Sequence, residues 1–163
     1  MLGMIYETIG EESKQSHKAI GFYEKAAAQD HPYAQYALAM IALENKDYTQ
    51  AQRYLEKAAN QQYVLAAFSL AKLLHDRDPK HPLKAFEWFM FAAKQGHVEA
   101  SYYVGLYYQN GKGVKQDIKQ SIIWYEKAAL NKLKPILYNE FKAVKQIFFV
   151  SAENPKLNKI LTK

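Results

Sequence analysis

The side chains best suited to metal chemistry gather in one short segment of this sequence. His75, Asp76, Asp78 and His81 lie within seven residues, and imidazole and carboxylate groups are common ligands of zinc and related metals. Their spacing matches none of the usual zinc patterns. We therefore interpret the segment as a turn, and we predict neither a metal nor a cofactor.

The sequence also contains no residue pattern typical of acid–base catalysis or of phosphate binding. Glu24, Glu56 and Glu126 recur at one place, each followed directly by a lysine, which is typical of a solvated helix face and not of a catalytic carboxylate pair. The glycines of Asn110–Gly113 do not form a phosphate-binding loop, because no strand precedes them and no GKS or GKT follows. The chain contains no cysteine, so cysteine nucleophiles and thiolate metal sites are excluded. We predict that the chain is not an enzyme.

The net charge of +6 is concentrated near the C-terminal end. Residues 131–163 contain seven Lys and two Glu, and all but two of the 22 basic residues are Lys. Base recognition and bidentate phosphate contacts rely on Arg, so we expect a solvated surface and no nucleic-acid partner. No apolar run is long enough to span a membrane and no signal peptide is visible. We therefore expect no membrane partner and a cytoplasmic chain, or a periplasmic or secreted one if it is a fragment.

A ten-residue pattern that occurs four times indicates a helical repeat. The copies begin at Lys18, Gln50, Lys84 and Gln120, with offsets of 32, 34 and 36 residues. Each copy has a small residue, an aromatic residue three places later, and two alanines seven and eight places later. These positions share one face of a helix, which we name helix B. We predict that the aromatic residues lie in the core; they are Phe22, Tyr54, Trp88 and Trp124.

A second pattern, which we name helix A, precedes each later helix B. An alanine is followed four and five places later by a larger apolar residue and a tiny one, as expected where helices cross closely. Met1 lies inside the first copy, so we expect a truncated start or a piece of a longer repeat array. The predicted core triplets are Ala34, Leu38 and Ala39, then Ala66, Leu70 and Ala71, then Ala100, Val104 and Gly105.

The turns between helix B and the next helix A also repeat. Gly96 suits the left-handed conformation that often ends a helix, and Asp30 and Gln62 occupy the same place. His31 and His97 share the next place, and this recurrence favours a capping or packing role over metal binding.

The fourth unit, ASYYVGLYYQNGKGVKQDIKQSIIWYEKAA, resembles the Sel1-like repeats (SLR), relatives of the tetratricopeptide repeat (TPR). Gly111–Val114 and Asp117 look like the family's glycine-rich loop between helices A and B, and Trp124–Tyr125 with Ala128–Ala129 match its helix B. The resemblance implies an all-α fold, an α-α superhelix in which antiparallel helix pairs form a right-handed solenoid with helix A on the concave face. It also implies an adaptor or scaffold for protein complexes. Many members are bacterial, and some serve the cell envelope or host interaction.

Two regions follow from the repeats. We predict four repeats, the first one truncated, over residues 1–134, and a C-terminal capping helix with a tail over residues 135–163. Pro135 would begin the capping helix, and Phe141 replaces the tiny residue of a normal helix A. We expect this helix to cover the end of the solenoid, with a tail that docks a partner as the alternative.

A second face of helix A carries a stripe that could bind a partner protein or peptide. Its members are three, seven and ten places apart and are rich in Tyr, Met and other residues common at interfaces. Half-burial between neighbouring A helices is the alternative, above all for Tyr36, Phe68 and Tyr102. The predicted binding residues are Tyr33, Tyr36, Met40, Leu65, Phe68, Lys72, Glu99, Tyr102, Leu106 and Gln109.

The leading hypothesis for function is a protein-interaction scaffold that holds its partner in the concave groove. One alternative is a cell-envelope enzyme, related to peptidoglycan, or a regulator of such an enzyme. Another is binding to nucleic acid or a membrane surface through the basic end from Lys132 to Lys163, which would weaken steeply as salt increases.

Overall fold

The computed structural model describes residues 19–130 and residue 142, and this part of the chain is built from helices joined by short turns. No β-strand occurs among these residues, as the small number of Gly and Pro residues predicts. The first helix, α1, covers residues 19–28 in the described part. Six helices follow: α2 (Pro32–Glu44), α3 (Tyr48–Asn60), α4 (Val64–Arg77), α5 (Pro82–Lys94), α6 (Val98–Asn110) and α7 (Ile118–Leu130).

The helices alternate between the two predicted types. Helices α2, α4 and α6 carry the helix A pattern, and α1, α3, α5 and α7 carry the helix B pattern. The chain divides into two compact units, residues 1–73 and 74–163. In the first unit α2 packs on α3, and in the second unit α6 packs on both α5 and α7. Packing of helix A on helix B is therefore the common element of both units.

The predicted core triplets of helix A are confirmed. Each member is buried, and the largest exposed fraction among the eight that bear side chains is 6%. The tiny residue is required where Gly105 meets α7, because a Cβ atom there would lie 2.7 Å from Cδ1 of Tyr125 and 3.1 Å from the carbonyl oxygen of Ser121. The aromatic ring thus rests on the backbone of α6.

The prediction that the aromatic residues of helix B lie in the core is wrong for Phe22, holds in part for Tyr54 and Trp88, and is confirmed for Trp124. Phe22 is 70% exposed, and Tyr54 and Trp88 are half-buried. Trp124 alone is buried, and the ammonium of Lys127 lies 4.0 Å from its ring centroid. The position is therefore at the edge of the packed face, where a large ring is covered only in part.

In α3, α5 and α7 the fully buried side chain is that of the next residue along the chain, whereas the equivalent Tyr23 of α1 is half-buried. Leu55, Phe89 and Tyr125 occupy this position and are at most 1% exposed. In α3 the buried positions are separated by four, seven and eight residues from the first, which places them on one face. These positions are Ala51, Leu55, Ala58 and Ala59.

The left-handed turns before helix A are confirmed. The backbone φ angle is 58° at Asp30, 64° at Gln62 and 87° at Gly96. Only the last of these is a glycine, so the first two turns adopt a conformation that is strained for an L-residue. Lys46, in the turn between α2 and α3, also has a positive φ of 60°. The residues around it do not predict this left-handed conformation.

The capping role is confirmed for one of the two recurrent histidines. His97 precedes α6, and its Nδ1 accepts a hydrogen bond from the backbone N–H of Ala100 at 3.2 Å. His31 holds the same place before α2 but makes no side-chain capping bond. There the helix begins instead with Pro32, whose fixed φ suits the first helical position.

Several predictions lie outside the described residues. These are the helix A of the first repeat, the capping stripe around Phe141, and the tail that follows. Lys142, the one described residue of that region, is helical and exposed. Among the helices that the structure describes, none has the length and apolar character needed to cross a membrane.

Candidate protein-binding surface

Four tyrosines of the first unit lie together near the start of α2. Tyr33 and Tyr36 belong to α2, Tyr23 belongs to α1, and Tyr63 directly precedes α4. The ring centroids of Tyr23 and Tyr33 are 6.2 Å apart in an edge-to-face arrangement. Those of Tyr36 and Tyr63 are 5.3 Å apart, with ring planes inclined by 53°. We name these four residues the tyrosine cluster, which joins α1, α2 and the start of α4.

Hydrogen bonding and burial raise the pKa of two phenols of this cluster. A hydrogen bond with Tyr33 is the main cause that raises the pKa of Tyr23, followed by the electrostatic effect of the same phenol and by burial. Burial is the main cause that raises the pKa of Tyr63, and the phenols of Tyr36 and Tyr33 add to it. Like any phenol, both groups are uncharged at neutral pH, and a phenolic hydroxyl has one donor proton and can also accept a hydrogen bond.

Two predicted binding residues of the first unit are well exposed. Tyr33 is 51% exposed and Leu65 is 44% exposed, and they occupy the same position of the successive A helices α2 and α4. Tyr36 and Met40, further along the stripe of α2, are half-buried. Large apolar side chains are thus partly open to solvent at equivalent places of two repeats.

The next residue of the stripe on α4, Phe68, is much less exposed than Leu65. Phe68 is only 9% exposed, so this ring is buried by packing, as the alternative interpretation of the stripe predicts. Lys72, one turn later, is half-buried, and its Nζ lies 5.8 Å from the centroid of the Phe68 ring. The ring therefore helps to position the ammonium group.

A buried amide fixes the position of α2 in the first unit. Gln35 is fully buried, and its Nε2 donates to Oδ1 of Asp30 at 3.2 Å and to the carbonyl oxygen of Ala27 at 3.5 Å. Its Oε1 accepts a hydrogen bond from Nε2 of Gln61 at 2.9 Å. A buried amide without partners costs about 1–3 kcal/mol, so these bonds tie α2 to the turn before it and to the end of α3.

The remaining four predicted binding residues lie on α6 in the second unit. Glu99, Tyr102, Leu106 and Gln109 are all half-buried. The hydroxyl of Tyr125 on α7 donates to Oε1 of Gln109 at 2.6 Å, and the rings of Tyr102 and Tyr125 are 5.6 Å apart. Part of this stripe therefore packs on the helix B that follows. A continuous strip formed by all ten residues stays a prediction.

His75 belongs to an aromatic cluster of the second unit. Its Nδ1 is 2.8 Å from the hydroxyl of Tyr107 and 3.5 Å from Nζ of Lys112. Burial, and then the charge of Lys112, lower the pKa of His75, while Asp76 acts in the opposite direction. Burial is the main cause that raises the pKa of Tyr107 to about 12. The neutral imidazole is therefore favoured, and its Nδ1 can accept a hydrogen bond from the hydroxyl of Tyr107.

The histidines of the metal-like segment, His75 and His81, contact different partners. His75 is bonded to Tyr107, whereas Nδ1 of His81 lies 2.8 Å from Oδ1 of Asp78. The hydrogen bond with His81 is the main cause that lowers the pKa of Asp78. Within the part of the chain that the structure describes, no group of three or more His, Cys, Asp or Glu side chains could hold a metal ion.

The sequence pattern singles out neither Tyr23 nor Tyr63 as a binding residue. Tyr23 follows the predicted core position of helix B, and Tyr63 fills the capping place that His31 and His97 hold in other repeats. The sequence does contain one signal: Tyr63 is aromatic at a place where capping residues are usually polar. The aromatic type of Tyr63 points to a binding surface only once the structure places Tyr36 beside it.

Comparison with protein families identifies a repeated match along most of the chain. The model of the Sel1 repeat matches residues 1–31, 32–63, 64–97 and 98–133. The last three segments begin where the A helices α2, α4 and α6 begin. Each of these matches therefore covers one helix A and the helix B that follows it.

Among curated proteins, the chitin synthase regulator SKT5 of Saccharomyces cerevisiae is 39% identical to this chain over 51 residues. The match covers 31% of this chain and 7% of the yeast protein. The chain therefore corresponds to a small part of that relative.

Solved structures share the fold. A protective antigen of uropathogenic Escherichia coli strains, which displays an SLR fold, is 33% identical with a TM-score of 0.65, over 68% of this chain and 25% of that chain. A Sel1 repeat protein from Oxalobacter formigenes is 24% identical with a TM-score of 0.63, over 70% and 49%. Helicobacter pylori cysteine rich protein B is 22% identical with a TM-score of 0.57, over 74% and 91%. Together with the described helices, these likenesses confirm the predicted fold class, an all-α solenoid of TPR/SLR-like helix pairs.

Proposed function

Because this chain belongs to the Sel1 repeat family, we propose that it is a scaffold or adaptor that binds a segment of a partner protein on the exposed face of its A helices. Proteins of this family are generally protein–protein interaction scaffolds and are typically not enzymes. The binding residues in the first unit are Tyr33, Tyr36, Met40, Leu65 and Lys72, with the stripe of α6 as the corresponding surface of the second unit. No catalytic step is assigned to the chain.

The observation that carries this proposal is the exposure of Tyr33 and Leu65 at one repeat position. Single exposed apolar residues are normal on protein surfaces. Here two of them recur at the same place of successive A helices, and one belongs to a cluster of tyrosines. Tyrosine is enriched at interfaces because its ring supplies contact area and its hydroxyl supplies a hydrogen bond. This combination is suited to a protein segment with both apolar and polar groups.

Site-specific photocrosslinking in the source cell tests the location of the surface. A photoreactive phenylalanine derivative replaces Tyr33 or Leu65, and the matched control carries it at Leu83, which is 50% exposed near the start of the B helix α5. We expect a discrete crosslinked partner from the first two positions and none from the control. The partner is then purified and must bind the unmodified chain directly. Equal crosslinking at Leu83, or no product at Tyr33 and Leu65, contradicts the proposal.

A second candidate is the regulation of an enzyme that builds the cell envelope. The supporting observation is the 39% identity over 51 residues with a chitin synthase regulator of yeast. In this case the partner captured at Tyr33 is a synthase of a wall polymer or a component bound to it. Adding the purified chain should then change the rate at which that enzyme makes polymer, and an unchanged rate excludes this candidate.

A further inference from the structure

We propose that the tyrosine cluster and Lys72 bind a proline-rich segment in the polyproline II conformation, with an acidic residue of the segment placed at Lys72. This inference rests on the proposed function and specifies the chemistry of the partner segment. It uses residues of the first unit only.

The inclination of the rings favours proline side chains. The planes of Tyr23 and Tyr33 are inclined by 65°, and those of Tyr36 and Tyr63 by 53°. The rings of each pair are in contact and present flat aromatic surfaces that are inclined to each other, and surfaces lined with aromatic rings are the usual docking sites of proline-rich segments. Tyr33 is half open to solvent, and the other three rings are half-buried. The cluster is therefore accessible and also held in place by packing.

The hydroxyl groups favour an extended segment over a helix. The phenol of Tyr63 can donate a hydrogen bond, and the hydrogen-bonded pair of Tyr23 and Tyr33 contains a second O–H besides the one in its own bond. A polyproline II segment has no internal hydrogen bonds, so its carbonyl oxygens are open to such donors. The carbonyl groups of an α-helix are already used within the helix. A surface rich in phenols therefore matches the extended segment better.

The position of Lys72 sets the spacing between the proline core and the acidic residue of the segment. The tyrosine cluster contains no charged residue, and Lys72 is the one charged member of the stripe on α2 and α4. Lys72 follows Tyr63 by nine residues, which corresponds to about 14 Å along α4 at 1.5 Å per residue. A polyproline II segment advances about 3.1 Å per residue, so about four to five residues span this distance. We therefore expect an uncharged proline core followed or preceded, at that spacing, by Asp or Glu.

Synthetic peptides test this chemistry on the complete chain. The probe is a fluorescein-labelled proline-rich peptide with Glu five residues from the proline core, followed by fluorescence anisotropy. One comparison peptide carries Lys in place of Glu, and another replaces every Pro by Gly or Ser. We expect saturable binding of the proline–Glu probe, binding weaker by about tenfold for the Lys version, and no saturation below about 1 mM for the Gly/Ser version.

Variants separate the two parts of the surface. Tyr33→Ala and Tyr63→Phe should each weaken binding of the proline–Glu probe, because they remove a ring and a donor hydroxyl respectively. Lys72→Glu should reverse the order, so that the Lys peptide binds more tightly than the Glu peptide. Lys84→Glu, an exposed lysine at the start of α5, is the matched control and should change neither affinity.

The outcomes distinguish this inference from the proposed function. If neither proline-rich peptide binds below about 1 mM while a partner still crosslinks at Tyr33, the polyproline inference is overturned and the scaffold function stands. Equal binding of the Gly/Ser peptide also overturns it, because the conformation then plays no part. An unchanged preference in Lys72→Glu overturns the assignment of the acidic residue. If no protein crosslinks at Tyr33 or Leu65, the proposed function itself fails.

Discussion

Replacing Phe89 by Ala should destabilise the chain much more than replacing Trp88, although tryptophan is the larger side chain. Phe89 is fully buried, and its ring stacks on Tyr103 with centroids 4.4 Å apart and planes inclined by 2°. It also lies edge-on to the ring of Tyr107 at 5.7 Å. Trp88 is half-buried, and its ring makes an edge contact with the ring of Phe91 at a centroid distance of 6.1 Å.

The burial of each ring sets the expected magnitudes. Truncating a buried Phe to Ala costs about 3–5 kcal/mol, and an aromatic pair contributes about 0.5–1.5 kcal/mol beyond the buried area. We therefore expect about 4 kcal/mol for Phe89→Ala. Trp88→Ala removes only part of a buried ring and should cost about 1–2 kcal/mol. Phe22→Ala, at a position that is 70% exposed, should stay within about 0.5 kcal/mol of wild type.

Urea unfolding of the three variants, followed by far-ultraviolet circular dichroism, measures these differences. The slope of the free energy of unfolding against urea must remain that of wild type for the midpoints to be compared. The assignment of the core of helix B is refuted if Trp88→Ala is as destabilised as Phe89→Ala. It is equally refuted if Phe89→Ala loses less than about 1 kcal/mol.

Two further predictions concern the second unit. Gly105→Ala should destabilise the chain, because overpacking against the ring of Tyr125 costs about 1–3 kcal/mol and exceeds the gain of about 1 kcal/mol from better helix propensity. Adding Tyr125→Leu, which recreates the Ala and Leu combination of the second repeat, should restore part of this stability in urea unfolding, and a fully stable Gly105→Ala protein contradicts the contact. The pKa values of His75 and His97 are lowered in the folded chain, mainly by burial. As pH falls below about 6.5 the unfolded chain therefore binds protons first, and the free energy of unfolding should decrease between about pH 7.5 and about pH 5.5. His75→Leu should make this decrease smaller, and an unchanged pH dependence argues against His75 as its source.

The core of helix A could be predicted from the sequence because three features coincide. Ala34, Leu38 and Ala39 repeat at fixed spacing, combine one large side chain with small ones, and share one helical face. The left-handed residues before helix A were also predictable, since Gly96 marks a place that Asp30 shares. These signals are local, and each is supported by other copies of the repeat.

The core of helix B could not be chosen from spacing alone. Positions three and four places after the small residue lie on neighbouring parts of one face, so Trp88 and Phe89 satisfy the same pattern. The larger ring is the misleading choice, because tryptophan is seldom fully buried. The two positions are distinguished by the three-dimensional packing, in which the ring of Phe89 is fully buried against Tyr103 and Tyr107.

Side-chain contacts between residues that are far apart in the sequence also could not be predicted from the repeat pattern. Gln35 is a polar residue inside the core, and its amide is paired with Gln61, 26 residues away. His75 and Tyr107 are 32 residues apart and hydrogen-bond through side chains of different repeats. Gln35 and His75 do not recur as the same residue type in the other units, so the periodicity that reveals the fold gives no information on their contacts.

The most direct test of the proposed binding surface is the affinity for the purified partner. Isothermal titration calorimetry compares wild type with Tyr33→Ala combined with Leu65→Ala, and with the matched control Leu83→Ala. The two substitutions should raise the dissociation constant at least about tenfold, equivalent to about 1.4 kcal/mol, while the melting temperature stays within a few degrees of wild type. The control should bind like wild type. Equal affinity for all three proteins, or a larger loss in Leu83→Ala, would contradict binding through the A helices.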